Sequence, residues 1–167
     1  MTIFAKSTKN KKAKTTMEMK DPIEEARRYL QNAKDILRDK AIKDGDFYTD
    51  SKYTRMAGNC MWNGCLIALK YALGLKAKRG QRLDIKDFQE SASKRNKKLL
   101  NEVNEGYNIM HLSMGYDGTK DVGTIASGIK RMNNIIDWCE INAPRTLSDT
   151  TAKDKPRAKR TKTKKEE

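Results

Sequence analysis

The chain has 167 residues and a formal net charge of +14, from 36 Lys and Arg against 22 Asp and Glu. Charged residues make up 35% of it, against about 25% in an ordinary globular protein. Its three cysteines argue against a disulfide framework, and no apolar run is long enough for a signal peptide or a membrane helix. We therefore expect a soluble, cytoplasmic protein with no membrane partner.

Most of the positive charge lies near the two ends of the chain. Residues 1–20 hold six Lys and one Glu, and residues 143–167 hold nine basic and four acidic side chains. Residues 21–142 are nearly balanced, with 21 basic and 17 acidic side chains. Segments so rich in Lys and Thr bury too little apolar surface to offset the entropy lost on ordering. The sequence predicts one folded domain over 21–142 between disordered basic tails, 1–20 and 143–167.

The first two helices have clear start and stop signals. Asp21 followed by Pro22 predicts a helix from about 22 to 41, because Asp caps a helix N-terminus and Pro is tolerated in the first turn. A second helix is predicted over 51–73, ended by Gly74. It is apolar nearly all round, which is typical of a helix buried on several sides, so we predict that it is central.

Three further helices are predicted in the rest of the domain. Asp84 marks the start of a short third helix, and the basic run 94–98 predicts a bend or break before the fourth. Residues 115–118 form a predicted turn because they combine two glycines with Asp. The fifth helix is predicted from about 119 to 142. Since no useful strand-like alternation appears, the predicted fold class is all-α: a bundle of four main helices plus one short helix.

The sequence contains no recognisable catalytic or metal-binding constellation. Cys60 and Cys65 are five residues apart, which places them about 140° apart around a helix, so they do not form a ligand pair. His111 is the single histidine. It either satisfies a carbonyl near a helix end or acts with Tyr116 and Asp117, for example as a ribonuclease. We expect no metal, no cofactor and no enzymatic activity.

Two asparagines lie on the most apolar helix. Asn59 and Asn63 are one turn apart, with Trp62 between them. Buried amides are costly unless they are hydrogen-bonded. The pair therefore either fixes the register of the bundle through buried hydrogen bonds or lines a surface for a partner or ligand.

Clustered basic residues favour binding of a polyanion. Contacts to phosphates give RNA or DNA binding that is salt-sensitive and independent of sequence. The alternative is a solubilising tail with a solvated loop. The candidate nucleic-acid-binding residues form a loop set, a set around residue 96 and a C-terminal set: Lys76, Lys78, Arg79, Arg82; Lys94, Arg95, Lys97, Lys98; and Lys155, Arg157, Lys159, Arg160, Lys162, Lys164, Lys165.

The order of features from Asp21 to Glu140 resembles an uncharacterised family of small helical proteins found chiefly in the Bacteroidota. The resemblance implies a helical domain and gives no indication of its activity. The segments that carry it are Asp21-Pro22-Ile23, Ala26-Arg27-Arg28-Tyr29-Leu30-Gln31-Asn32-Ala33-Lys34, Met56-Ala57-Gly58, Trp62-Asn63-Gly64, His111-Leu112-Ser113-Met114-Gly115-Tyr116-Asp117-Gly118 and Ile136-Asp137-Trp138-Cys139.

The layout is similar, more loosely, to HEPN domains, which are bundles of four or five helices. That likeness implies a homodimer or a domain that binds a protein partner. The nuclease members have an Arg four to six residues before a His, whereas here the nearest Arg upstream of His111 is Arg95. Because the motif is absent, the likeness favours binding over catalysis.

Overall fold

The computed structural model describes residues 21–77 and 79–144, which fold into the predicted all-α bundle. Two stretches of wider, π-helical turns continue α1 and α4, over Leu37–Ala41 and Tyr107–Tyr116, and we call the second the wide helix. The predicted tails lie outside the described residues, apart from Ala143 and Pro144. The α-helices are α1 (Pro22–Ile36), α2 (Ser51–Ala72), α3 (Ile85–Arg95), α4 (Lys97–Gly106) and α5 (Val122–Asn142).

The ends of α1 and α2 confirm the predicted signals. The Asp21 side chain accepts a 2.9 Å hydrogen bond from the backbone N–H of Ile23, and that of Asp50 accepts one of 2.8 Å from Lys52. Each bond satisfies one of the N–H groups that a helix start leaves unpaired. Gly74 follows α2 with φ +66°, a backbone conformation that favours glycine and ends the helix.

The predicted break between the third and fourth helices is also confirmed. Asp84 and Asp87 cap α3 reciprocally, each accepting a bond from the other's backbone N–H. Asn96 then leaves the helical conformation with φ −164°, and its side chain caps α4 by accepting a 2.7 Å bond from Lys98. We call this junction the elbow.

Three boundaries differ from the predictions. The helix predicted to end before residue 115 continues through Tyr116, so the turn begins only at Asp117. The last helix begins at Val122, because Asp121 caps it by accepting a 2.6 Å bond from Thr124. A small antiparallel hairpin that the sequence did not predict joins α1 to α2, through β1 (Lys43–Asp44) and β2 (Phe47–Tyr48).

The central position of α2 is confirmed, since α1, the wide helix and α5 all pack on it. The wide helix runs antiparallel to α2. The rings of Trp62 and Tyr107 are 5.6 Å apart, and Arg55, earlier in α2, donates to the carbonyl of Asp117, later in the chain. Gly58 lies between these two contacts. A Cβ built on it would lie only 2.5 Å from the Cβ of Met114, so only glycine permits this approach.

The helix directions bring both ends of the domain together. Arg27, in α1, forms ion pairs with Asp137 and Glu140 near the end of α5. The Tyr71 hydroxyl, near the end of α2, donates to the carbonyl of Pro144 at 3.1 Å. The chain therefore enters and leaves the bundle at the C-terminal end of α2. We call this the terminal end and the opposite one the hairpin end.

A partly buried ion pair links α4 to α5. Arg131 donates a 3.0 Å hydrogen bond to Oε1 of Glu102, a residue only 8% exposed. Within the described residues, Oε2 of Glu102 and Nε of Arg131 are both buried without a hydrogen-bond partner. An ion pair with unsatisfied polar atoms contributes little net stability, although each charge depends on the other.

Gly58→Ala is expected to lower the free energy of unfolding by about 2 kcal/mol, because the new methyl group overlaps the wide helix. Urea denaturation of the full chain, followed by circular dichroism, measures the change. The matched control is Gly123→Ala, at an exposed helical glycine, which should alter stability by less than about 1 kcal/mol. Wild-type stability in Gly58→Ala would contradict the close approach of α2 and the wide helix.

Arg131→Met is expected to destabilise the chain by about 2–3 kcal/mol, since it leaves the buried Glu102 carboxylate without its counter-ion. The double variant Glu102→Leu/Arg131→Met should return to within about 1 kcal/mol of wild type, because both charges are then gone. The same denaturation measurement compares them. A double variant that is less stable than Arg131→Met would show that the pair itself stabilises the bundle.

Candidate nucleic-acid interface

The net positive charge of the folded domain comes from one stretch of chain. Residues 76–98 hold nine basic and three acidic side chains. The remainder of the domain, 21–75 and 99–142, holds twelve basic and fourteen acidic side chains, a net charge of −2. This stretch comprises the loop after α2, helix α3 and the elbow, so the surface charge of the domain is strongly one-sided.

The elbow lies at the terminal end of the bundle. Tyr107 contacts Trp62. The number of residues from the elbow to Tyr107, along α4, is about the same as the number from Trp62 to the C-terminal end of α2. Because the two helices are antiparallel, the elbow and the C-terminus of α2 lie at a similar level. The elbow, the start of the loop and both ends of the domain therefore share one end of the molecule.

Most of the predicted basic residues in the described part of the chain are exposed and free of ion pairs. Lys94 is the exception, since its ammonium group lies 2.7 Å from the Glu90 carboxylate and lowers the pKa of that carboxyl. Lys78 and the C-terminal set from Lys155 to Lys165 lie outside the described residues. The exposed, unpaired members are Lys76, Arg79 and Arg82 in the loop and Arg95, Lys97 and Lys98 at the elbow.

Helix α3 separates the loop set from the set around residue 96, which we call the elbow set. Its eleven residues span about 16 Å at 1.5 Å per residue. Both strands of a duplex together present one phosphate per about 1.7 Å of helix axis. An extended polyanion can thus contact the loop set and the elbow set at once, whereas a single small anion cannot.

A shallow groove of about 410 Å³ runs beside α2, between α1 and the loop. Leu66, Ile67 and Leu83 form much of its apolar wall. Asn63 lies in this groove, together with Arg82 of the predicted loop set. The sequence prediction missed the other groove residues, because Tyr29, Lys70 and Gln81 come from three separate elements.

Of the two alternatives for Asn59 and Asn63, buried hydrogen bonds that fix the register do not fit the structure, since both side chains are exposed. Asn59 donates a long, 3.4 Å hydrogen bond to the carbonyl of Gly115, where the wide helix ends. Asn63 has no hydrogen-bond partner within the described residues. The two amides therefore have different surroundings: one supports a helix junction, and the other is available at the groove.

His111 lies within the wide helix and forms an aromatic cluster with Trp62 and Tyr107, at ring distances of 6.2 and 5.2 Å. Its Nδ1 atom is buried without a hydrogen-bond partner among the described residues. The expected hydrogen bond to a helix-terminal carbonyl is therefore not formed through Nδ1, because the helix continues for another turn. Within residues 79–144, no hydrogen bond links His111 to Tyr116 or Asp117, the partners of the ribonuclease hypothesis.

The three cysteines have different environments but none has a thiolate-stabilising neighbour. Cys60 is half-buried, and its thiol donates to the carbonyl of Tyr29 at 3.2 Å. Burial raises the pKa of all three thiols, and that of Cys139 to about 12. Among the described residues, no three His, Cys, Asp or Glu side chains converge to form a metal site.

Comparison with known proteins assigns the chain to a family. A model of a protein family described only as a domain of unknown function, DUF5618, matches residues 21–141. The chain belongs to this family. The matched range contains the groove, the loop set and the elbow set, and it excludes both basic tails.

A solved structure supports the DUF5618 assignment. A protein of unknown function from Dyadobacter fermentans is 43% identical, with a TM-score of 0.69, over 72% of this chain and 94% of that chain. The predicted resemblance to a family of small helical bacterial proteins is therefore confirmed. No curated protein matches the chain. Among the described helices, none combines the length and apolar content that a membrane span requires.

The thiols are expected to react with an aromatic disulfide reagent in two phases. The pKa of Cys139 is raised above its unfolded value of about 8.5, so the folded state favours the neutral thiol until the pH approaches 12. At mildly alkaline pH, Cys60 should react first, and Cys65 and Cys139 only as the chain unfolds. Absorbance of the released thiolate follows both phases.

Cys60→Ala provides the control for this assignment and should remove the fast phase alone. Burial of Cys65 and Cys139 as neutral thiols contributes stability that is fully present below the thiol pKa of the unfolded chain, and this stability is lost as the pH rises above that pKa. Three thiols reacting at one rate in the folded protein would contradict the burial of Cys65 and Cys139.

Proposed function

We propose that this protein is a non-enzymatic helical module that binds RNA or DNA through the basic surface at its terminal end. The observation that carries the proposal is the group of exposed basic side chains in the loop and at the elbow. The start of the loop, the elbow and both points where the tails join lie at that end, although they are far apart in sequence. A polyanion bound there can contact the folded domain and the tails together.

The chemistry of these groups favours phosphates over a defined small ligand. Within residues 21–77 and 79–144, the exposed Lys and Arg side chains of both sets form no ion pair with a carboxylate, apart from Lys94, so they are available for phosphate oxygens. Such contacts release counterions, which makes affinity salt-dependent and largely independent of sequence.

A second candidate function is a protein-interaction domain, as a homodimer or with another protein. Large apolar side chains are exposed toward the hairpin end, where Phe47 is 58%, Met56 46% and Tyr116 78% exposed. Exposed apolar groups in proximity are typical of protein contacts. A monomer at all concentrations in analytical ultracentrifugation, together with no partner in crosslinked pull-downs, would count against it.

The full-length triple variant Arg95→Gln/Lys97→Gln/Lys98→Gln is expected to bind duplex DNA more weakly. Three lost phosphate contacts should reduce the slope of log affinity against log salt by about 2.7, at about 0.9 per contact. Fluorescence anisotropy with a labelled duplex and a salt series measures both quantities.

The matched control removes three exposed lysines near the hairpin end, as Lys40→Gln/Lys43→Gln/Lys120→Gln. Both triple variants have the same net charge, so a general charge effect would weaken them equally. We expect the control to keep a slope close to wild type. Equal losses would refute the terminal end as the binding surface. Equally weak binding of RNA and duplex DNA at low salt by full-length and tail-deleted protein would refute the function itself.

A further inference from the structure

The groove beside α2 has the size and the lining of a site for a small planar group. Its volume, about 410 Å³, is at the lower end of the range for small-molecule sites, about 300–1,000 Å³. The Tyr29 side chain lines it from α1, and Leu83 lines it from the loop. An aromatic ring and aliphatic side chains in one groove provide a suitable surface for stacking a flat heterocycle.

Two amides give the groove hydrogen-bonding capacity. Asn63 and Gln81 both line it, and neither side chain has a hydrogen-bond partner within the described residues. Each amide can donate and accept at the same time. That combination matches the edge of a nucleobase, which presents donors and acceptors side by side.

Two cations complete the groove. Lys70 and Arg82 line it, and no ion pair within the described residues involves either of them. Lys70 lies in the last turn of α2, and Arg82 belongs to the basic loop set. An anionic group next to the planar one therefore complements the groove.

We propose that this groove takes one unstacked base of a single-stranded RNA or DNA, with Asn63 and Gln81 on the base edge and Lys70 and Arg82 on the adjacent phosphate. This inference rests on the proposed function and names its substrate class. Bases of a duplex are stacked and paired, so their edges cannot enter a groove beside a helix, whereas an unpaired base turns outward freely. The preference for a single strand then comes from the groove, and the general affinity comes from the basic end.

An acidic peptide is the competing occupant, because it also complements Lys70 and Arg82. The groove favours the nucleotide, since carboxylates leave both amides without the mixed donor and acceptor edge that they match. An amphipathic helix would moreover need a longer apolar surface than a groove of this volume provides.

The test compares three ligands on the full-length chain: a short unstructured single strand, the same strand with every base removed, and poly-glutamate. The abasic strand keeps all phosphates, so it isolates the contribution of the bases. Wild type should bind the intact strand about tenfold more tightly than the abasic one, as stacking and edge contacts are lost together.

The double variant Asn63→Ala/Gln81→Ala should weaken binding of the intact strand about threefold to tenfold and leave the abasic strand and poly-glutamate unchanged. Both residues are exposed, so the fold should persist, and thermal melting checks this. The matched control is Gln31→Ala, an exposed amide about 200° around α1 from Tyr29, which should bind all three ligands as wild type does.

Equal affinity of wild type for intact and abasic strands would overturn the inference. So would an equal loss of poly-glutamate binding in the double variant, because it would identify the groove as a site for acidic peptides. In either case the elbow triple variant still reports on the proposed function separately. Loss of its salt-slope effect would instead point to failure of the nucleic-acid function as a whole.

Discussion

The burial of α2 on several sides is the constraint on which the rest of the structure depends. Almost any orientation of this helix presents apolar side chains, so it needs neighbours on more than one face. Gly58 and Gly64 determine how close those neighbours come. A Cβ at Gly64 would lie 2.7 Å from the Cβ of Tyr29, just as one at Gly58 would overlap Met114. The two glycines, about 120° apart around the helix, thus place α1 and the wide helix against two different faces of α2.

The charge distribution follows from this packing. Both α1 and the chain from α4 through the wide helix run antiparallel to α2, while α5 returns alongside it. The start of α1, the start of α4 and the end of α5 therefore lie at one end. Basic side chains are concentrated at the start of α4, whereas the start of α1 carries Glu24 and the end of α5 carries Asp137 and Glu140. The described part of this end therefore combines a basic elbow with acidic neighbours.

Local signals explain why the helix boundaries were predictable. Asp21, Asp50 and Asp84 each satisfy backbone N–H groups within three residues, so a short sequence window contains the whole interaction. The hairpin and the wide helix depend instead on distant partners. Tyr48 donates to the carbonyl of Lys120, a contact that exists only once the bundle has formed.

That the sequence left both a buried and a surface role open for the asparagines has a similar origin. A helix that is apolar nearly all round gives a weak indication of which stripe faces solvent. Lys52, Asn59, Asn63 and Lys70 share one side of α2, and their spacing of seven, four and seven residues marks the exposed stripe. Considered together, they identify an open face. Considered as an isolated pair between apolar residues, the two asparagines suggest buried hydrogen bonds.

The candidate interface has two parts, the basic elbow and the open stripe along α2. The elbow carries exposed charge, which in the proposed function attracts any polyanion. Along α2, by contrast, the stripe combines Asn63 and Lys70 with an apolar wall and the ring of Tyr29, and we propose that this chemistry distinguishes a base from a bare phosphate. Since the family match ends at residue 141 and begins at residue 21, the groove belongs to the shared domain and the tails do not. In the proposed function, selectivity is therefore a property of the shared domain, and the flanking basic segments adjust affinity around it.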